Sequence, residues 1–275
     1  WHLCSVWQVF MIVTFHGVRG SISASGADFS EYGGHTICTE IMTDAAQILI
    51  DAGSGFQNVA LADDRPVVIL LSHFHHDHIQ GLGFNPSLFA GPSDVFISSA
   101  LCSHDATHDH LQRYYSGRYF PIELLSEISR LRVVSFAEVQ SIFARDLTLE
   151  TYGLNHPGGS AAYGVATTNA KLCCLLDNEY EASQLDSLCG LTDDADLTIW
   201  DGMFTADELP QFKGWGHSSM EQGVAFMKNS NCRRLAIAHH APHRTDAQLN
   251  AIQKTLRDPT TFIVKAKHTE ILPWD

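Results

Sequence analysis

Basic residues are scarce. Lys and Arg number 17 against 31 Asp and Glu, a formal charge of −14. That balance offers no broad cationic face to a long nucleic acid, whose binding rests on many phosphate contacts. No apolar run reaches the roughly 18 residues of a membrane-spanning helix. No basic start leads into an apolar core and a small-residue cleavage site. A cytoplasmic protein with no membrane partner is therefore expected. The seven cysteines are odd in number and lack framework spacing, and Cys173 and Cys174 are adjacent in a strand-like run. Buried, reduced thiols are expected. Internal repeats and low-complexity tracts are absent.

Histidine is plentiful, at 16 of 275 residues. Its densest stretch follows Pro66-Val67-Val68-Ile69-Leu70-Leu71, which has the length and β-branched bias of a buried strand. Where that run stops come His73, His75, Asp77 and His78, with Gly81 allowing a turn. In extended backbone His73 and His75 point the same way, whereas His76 at the spacer position points away and is read as a non-ligand. Three imidazoles and a carboxylate at one strand end suit a borderline-soft cation such as zinc, and two pairs of donors suggest two cations. The plain alternative is a histidine-rich surface loop.

Other strands end in a similar way. Strand-like runs lead into His156, Asp177, Asp201 and His239, so that five strand ends carry an acid or a histidine. Their convergence on one edge would make a site. Hairpins over 39–50 and 161–176, alternating with helices, predict an α/β layered sandwich. Residues 11–275 are expected to form one domain, with 1–10 an extension ahead of a first strand at Met11. A short helix is expected over 56–62, another between 179 and 190, and others over 220–228 and 245–256, capped by Ser218 or Ser219 and by Thr245. The 101–130 segment, rich in His, Tyr and Arg, is read as a helix and mobile flap near the site. Its aromatic residues either stack on a base or belong to an ordinary surface helix. His104, His108 and His110 are read as surface residues. The Gly-flanked loop His16-Gly17-Val18-Arg19-Gly20-Ser21 can present Arg19 and Ser21 to a phosphate, or can be a plain turn.

The pattern His73-x-His75-x-Asp77-His78 resembles the signature of the metallo-β-lactamase superfamily. The resemblance implies an αββα four-layer sandwich with metals at the sheet edge. It implies a first metal on His73, His75 and His156, a second on Asp77, His78 and His239, and Asp177 bridging both. Residues alone leave the doublet His239-His240 open; the family's His-x-x-Pro spacing to Pro242 selects His239 and leaves His240 to the pocket or to a supporting place behind the ligands. Asp51 could cap a helix or accept from a ligand histidine, and the family favours the second role. The loop Gly216-His217-Ser218-Ser219, with Asp201, resembles the His–carboxylate pair of ribonuclease Z. The likeness is nearest to short phosphodiesterase-like relatives of that enzyme, including phage anti-Pycsar cyclic-nucleotide phosphodiesterases.

That likeness implies two divalent cations, zinc or else manganese or iron, and hydrolysis of a small phosphodiester such as a cyclic nucleotide by a metal-bridging hydroxide. Asp77, His217 and Asp201 would be the catalytic residues, with His217 as general acid. Arg19, Ser21 and His240 are the candidate substrate contacts. The alternatives are a tRNA 3′-processing endonuclease, for which no basic Gly/Pro-rich arm is present, and a thioester or lactone hydrolase, which would not need Asp201 and His217. A homodimer completed by the 101–130 segment is also expected.

Overall fold

The apolar runs of the sequence form the strands. The computed structural model describes residues 10–256 and 258–273. Its strands are β1 (Met11–Gly17), β2 (Cys38–Met42), β3 (Gln47–Ile50), β4 (Val67–Leu71), β5 (Val95–Ser99), β6 (Leu131–Val133), β7 (Thr148–Leu154), β8 (Ser160–Ala166), β9 (Lys171–Leu175), β10 (Leu197–Asp201), β11 (Arg234–Ala238), β12 (Thr261–Ile263) and β13 (Thr269–Leu272). They make two sheets, ordered β13-β1-β2-β3-β4-β5-β6 and β12-β11-β10-β9-β8-β7. Helices are α1 (His76–Ile79), α2 (Pro86–Phe89), α3 (His104–Tyr114), α4 (Leu124–Glu127), α5 (Phe136–Phe143), α6 (Leu185–Thr192), α7 (Met220–Met227) and α8 (Asp246–Leu256).

Alternation along each strand sorts the apolar side chains into layers. Val13, Ile41, Ile48, Val68 and Leu70 of the first sheet face Tyr163, Val165, Leu172, Cys174 and Ile199 of the second. On the outer side of the first sheet, Val67, Ile69 and Leu71 of β4 meet Leu111 and Tyr115 at α3 and Leu124 of α4. On the far side of the second, Cys173, Trp200 and Leu235 meet Leu188, Met220, Phe226 and Leu249 from α6, α7 and α8. This is the expected αββα sandwich. It explains why the β4 run is apolar throughout: both faces are covered.

Within the sheets, β3 to β6 run parallel, and so do β9 to β12. The C-terminal ends of β3 and β4 therefore share one edge, and those of β9, β10 and β11 share another. Parallel α/β sheets bind ligands at such edges.

Local differences from the sequence reading have physical causes. In place of a helix over 56–62 there is a 3-10 turn, Ser54–Asn58, bounded by Gly53 in extended conformation. The helix expected between 179 and 190 begins at Leu185, after a 3-10 turn at Ala182–Gln184. Residues 131–146 carry β6 and α5, which the reading missed although Ser135-x-x-Glu138 is a capping-box signature, formed here. The caps at Ser219 and Thr245 are present. The 101–130 segment is anchored rather than a loose flap, since Leu111, Tyr115 and Leu124 are fully buried in the outer core. Of the expected extension, residues 1–9 lie outside the described residues, and Phe10 is exposed. No helix among the described residues is long and apolar enough to cross a membrane.

Candidate metal centre

Three side chains reach the site because the chain turns abruptly at strand ends. Asp51 after β3, Asp177 after β9 and His239 after β11 adopt left-handed backbone, with φ of 61°, 56° and 58°. This conformation costs a non-glycine residue on the order of 1 kcal/mol or more and is found where function demands it. Here it swings each side chain over the sheet edge toward the histidines that follow β4. His73 and His75 lie in the extended link after β4, and Asp77 and His78 sit on the single turn of α1.

The side chains collect into two trios joined by one carboxylate. Single donor atoms of His73, His75 and His156 lie within 4.8 Å of one another, as do those of Asp77, His78 and His239. Asp177 turns one oxygen to each trio. Its Oδ2 is 3.7 Å from His73 Nε2 and 3.6 Å from His156 Nε2. Its Oδ1 is 3.1 Å from both His78 Nε2 and His239 Nε2.

Carboxylate and carbonyl acceptors fix the outer nitrogens. His78 Nδ1–H donates to Asp51 Oδ2 at 2.8 Å, and His156 Nδ1–H to the Gly216 carbonyl at 2.8 Å. His73 Nδ1–H donates to Ser72 Oγ at 3.0 Å, and Ser72 Oγ donates in turn to Asp51. Each Nε2 lone pair is thereby left facing the centre, as metal-binding imidazoles are held. Ser72 went unnoticed in the sequence, although it directly precedes the motif.

This donor set fits divalent cations. Buried His73 Nε2 and Asp177 Oδ1 have no hydrogen-bond partner, an arrangement proteins avoid unless something else satisfies the atoms. His75 Nδ1 and His156 Nε2 face each other at 3.0 Å, and His78 Nε2 and His239 Nε2 at 3.3 Å. Burial pushes His73, His75 and His156 below the usual imidazole range, toward the neutral form that ligates. Around His78 the balance reverses: burial opposes charge, but Asp177, Asp77 and Asp51 outweigh it and favour a positive charge there. The mixed N/O set suits zinc, manganese or iron.

Beside the trios stands the His217–Asp201 pair. His217 Nδ1–H donates to Asp201 Oδ2 at 2.8 Å. Asp201 is buried and accepts from the backbone N–H of Asn178 at 3.2 Å and of Met203 at 3.0 Å. Glu179, also unread in the sequence, accepts from Gly214 N at 2.7 Å and Gly216 N at 3.0 Å and so secures the loop that carries His217. Two glycines lie against rings of the donor trios. A β-carbon at Gly20 would lie 2.3 Å from the His239 ring, and one at Gly216 2.3 Å from the His156 ring.

Two proposed substrate contacts are corrected. Arg19 is fully buried and its guanidinium points inward, donating to the carbonyls of Gly33 at 2.8 Å and Arg244 at 2.6 Å and lying 3.6 Å from Asp246. It pins the loop and meets no substrate. His240 is equally buried; its Nε2–H donates to the Val264 carbonyl at 2.9 Å, after the left-handed turn at His239. Burial first, with Arg19, His239 and Arg244 adding repulsion, pushes its pKa down to about 3. Ser21 does reach the site, by its backbone: its N–H donates to Asp77 Oδ2 at 2.6 Å, and its side chain is exposed. His104, His108 and His110 are exposed and belong to none of the donor groups.

Comparison with known proteins agrees with this geometry. The β-lactamase superfamily domain matches residues 46–240, well over half of the chain. The chain belongs to the metallo-β-lactamase superfamily. Another protein it resembles, from Bacillus subtilis (strain 168), is named probable metallo-hydrolase YhfI; the two are 23% identical over 238 residues, 85% of this chain and 88% of that one. The crystal structure of YhfI superposes with a TM-score of 0.70 at 21% identity, covering 96% and 99% of the two chains. Human tRNase Z, short form, gives 0.66 at 16% identity over 96% and 100%. A diphosphatase of the PhnP family gives 0.66 at 13% over 96% and 97%. At such identities these structures share the superfamily fold with the present chain, and its substrate is a separate question.

Proposed function

We propose that this superfamily member is a dinuclear-metal phosphodiesterase of the ribonuclease Z-like branch, acting on a small phosphodiester such as a cyclic nucleotide. The observation that carries the reading is the His217–Asp201 pair beside two donor trios. In this reading His73, His75 and His156 hold one cation, Asp77, His78 and His239 the other, and Asp177 both, with zinc preferred. When bound, the cations would lower the pKa of a water and offset charge developing on the phosphoryl oxygens.

The chain's own residues do the rest. Asp201 holds the Nδ1 proton of His217, so that Nε2–H is the proton available to a departing alkoxide. Two backbone N–H groups fix Asp201 and prevent it from following the imidazole. Ser21 N–H orients Asp77. Thioester or lactone hydrolysis expels a better leaving group and has no need of this pair. The net charge of −14 counts against a long RNA substrate.

The test is turnover of bis(4-nitrophenyl) phosphate with zinc or manganese, followed by 2′,3′- and 3′,5′-cyclic nucleotides and then pre-tRNA, with metal analysis throughout. Hydrolysis of phosphodiesters that is abolished by chelation and restored by metal is expected. Cleavage of pre-tRNA or thioesters alone would refute the proposal. Homodimerisation is part of the same proposal; a fully active monomer by light scattering would remove it.

A further inference from the structure

The segment that supplies the first ligands has two faces. His73 and His75 turn to the donor cluster, while the alternate residues Phe74 and His76 line a cleft of about 700 Å3. The facing wall is α3, through His110, Arg113 and Tyr114. Phe74 packs on the His110 ring with centroids 4.7 Å apart, and the Tyr114 hydroxyl meets His76 Nδ1. Phe74 and His110 also line a smaller cavity of about 350 Å3 whose other walls include His73 and His75. The cleft and the mouth of the donor cluster are therefore neighbours across one shared wall.

We infer that this cleft receives the planar heteroaromatic ring of the substrate, a nucleobase, while its phosphodiester lies at the metal centre. The inference rests on the phosphodiesterase reading and names which part of the substrate the protein recognises. Volume agrees, since small-molecule clefts of roughly 300–1,000 Å3 hold ligands of this class. So does chemistry. Phe74 and Tyr114 offer ring faces for stacking, which every base can use. Gln57, Gln80 and His76 offer donors and acceptors to a base edge. Arg113 supplies a cation at this spot in an otherwise acidic chain. The motif thus serves both ends of one substrate, the phosphate through His73, His75, Asp77 and His78 and the base through Phe74 and His76.

The test reads binding apart from turnover. Adenosine, guanosine, cytidine and uridine are titrated into chelator-treated and metal-loaded protein, followed by calorimetry and ligand-observed NMR. One saturable site per chain is expected for at least one of them, in both forms. Tyr114→Ala or Phe74→Ala should weaken it about tenfold or more, the effect of losing one stacking partner. Tyr114→Phe, which keeps the ring, should retain it. With cyclic nucleotide as substrate, the alanine variants should raise KM and leave kcat within about twofold. Absence of saturable binding for all four nucleosides overturns the inference, as does binding that ignores both alanine changes in protein shown by circular dichroism to be folded. A solution dimer that Tyr119→Asp separates, with no nucleoside bound by either state, would give the cleft to a second copy and overturn it as well. Failure of the two readings is separable. Nucleoside binding without any phosphodiester hydrolysis removes the reaction and keeps the cleft; hydrolysis without nucleoside binding does the reverse.

Discussion

Asp201→Asn removes one charge at the heart of the proposed acid while keeping shape. In the parent, burial alone would lower the His217 pKa. The Asp201 carboxylate and its 2.8 Å hydrogen bond, with Asp177 and Asp77 behind, outweigh burial and push it from 6.5 up to about 9. That rise corresponds to about 3 kcal/mol of preference for the imidazolium. A group titrating at about 9 is almost fully protonated at pH 7.5, whereas one titrating at 6.5 is about one-tenth protonated. The sign follows: the acid form is complete below 6.5 and is lost as pH rises through about 9. Cations at the two trios lower the value in parent and variant alike, so the difference between them is the quantity to measure. We expect Asp201→Asn to move the alkaline limb of kcat down by about two pH units and to cut turnover at pH 7.5 at least about fourfold on alkyl esters. His217→Ala should lose about 10²–10⁴-fold on the same esters. Nitrophenyl esters, whose leaving group needs no proton, should be nearly untouched. The assay is a pH profile of kcat and kcat/KM on one ester of each kind, with metal content measured in every sample. Equal losses on both esters with metals retained, or an unmoved alkaline limb, would refute the general-acid role.

Other consequences can be checked independently. Asp51→Ala strips His78 Nδ1–H and Ser72 of their acceptor and should weaken metal binding about 10–100-fold; unchanged affinity in a chelator competition would contradict the orienting role. Arg19→Ala leaves buried carbonyls and Asp246 without their partner and should cost about 3 kcal/mol of stability with KM unchanged; raised KM at unchanged melting temperature would restore Arg19 as a substrate contact. Buried His240 stays neutral in the fold down to about pH 3 while its unfolded form protonates near 6.5. The unfolded state therefore binds the extra proton, and stability should fall with decreasing pH across that window by up to about 1.4 kcal/mol per pH unit. Thermal melts of parent and His240→Gln should converge at low pH, and parallel curves would refute this.

What the sequence made legible was chemistry with fixed local geometry. His73, His75, Asp77 and His78 are bound to share a neighbourhood because six residues connect them, and the strand pattern before them fixes their direction. Asp177 and His239 could be read as strand-end residues because each follows an apolar strand, and His156 because it ends the alternating run Thr148–Leu154 before Pro157-Gly158-Gly159; their ligand roles are what the family resemblance implies. Arg19 misled because, besides the Gly33 carbonyl, its partners are the carbonyls of Ala241 and Arg244, more than 220 residues away, and no run of residues beside it shows that its loop turns inward. For His240 the left-handed turn at His239, which decides where each of the doublet points, has no signal in a residue type that is not glycine. Ser72, Glu179 and the part of Gly216 as acceptor for His156 were missed because their contributions are hydrogen bonds to other residues' atoms, which depend on packing across the sheet edge rather than on residue type.

The glycines behind the outer imidazoles give separate handles on the two halves of the centre. A β-carbon at position 20 would crowd the ring of His239 and the tip of Met203, and one at 216 the ring of His156 and Pro157, each ring by about an ångström or more relative to normal contact. His239 belongs to one trio and His156 to the other. A methyl group placed at either position should therefore evict one cation and spare its neighbour, allowing each metal's share in the chemistry to be weighed without altering a single ligand.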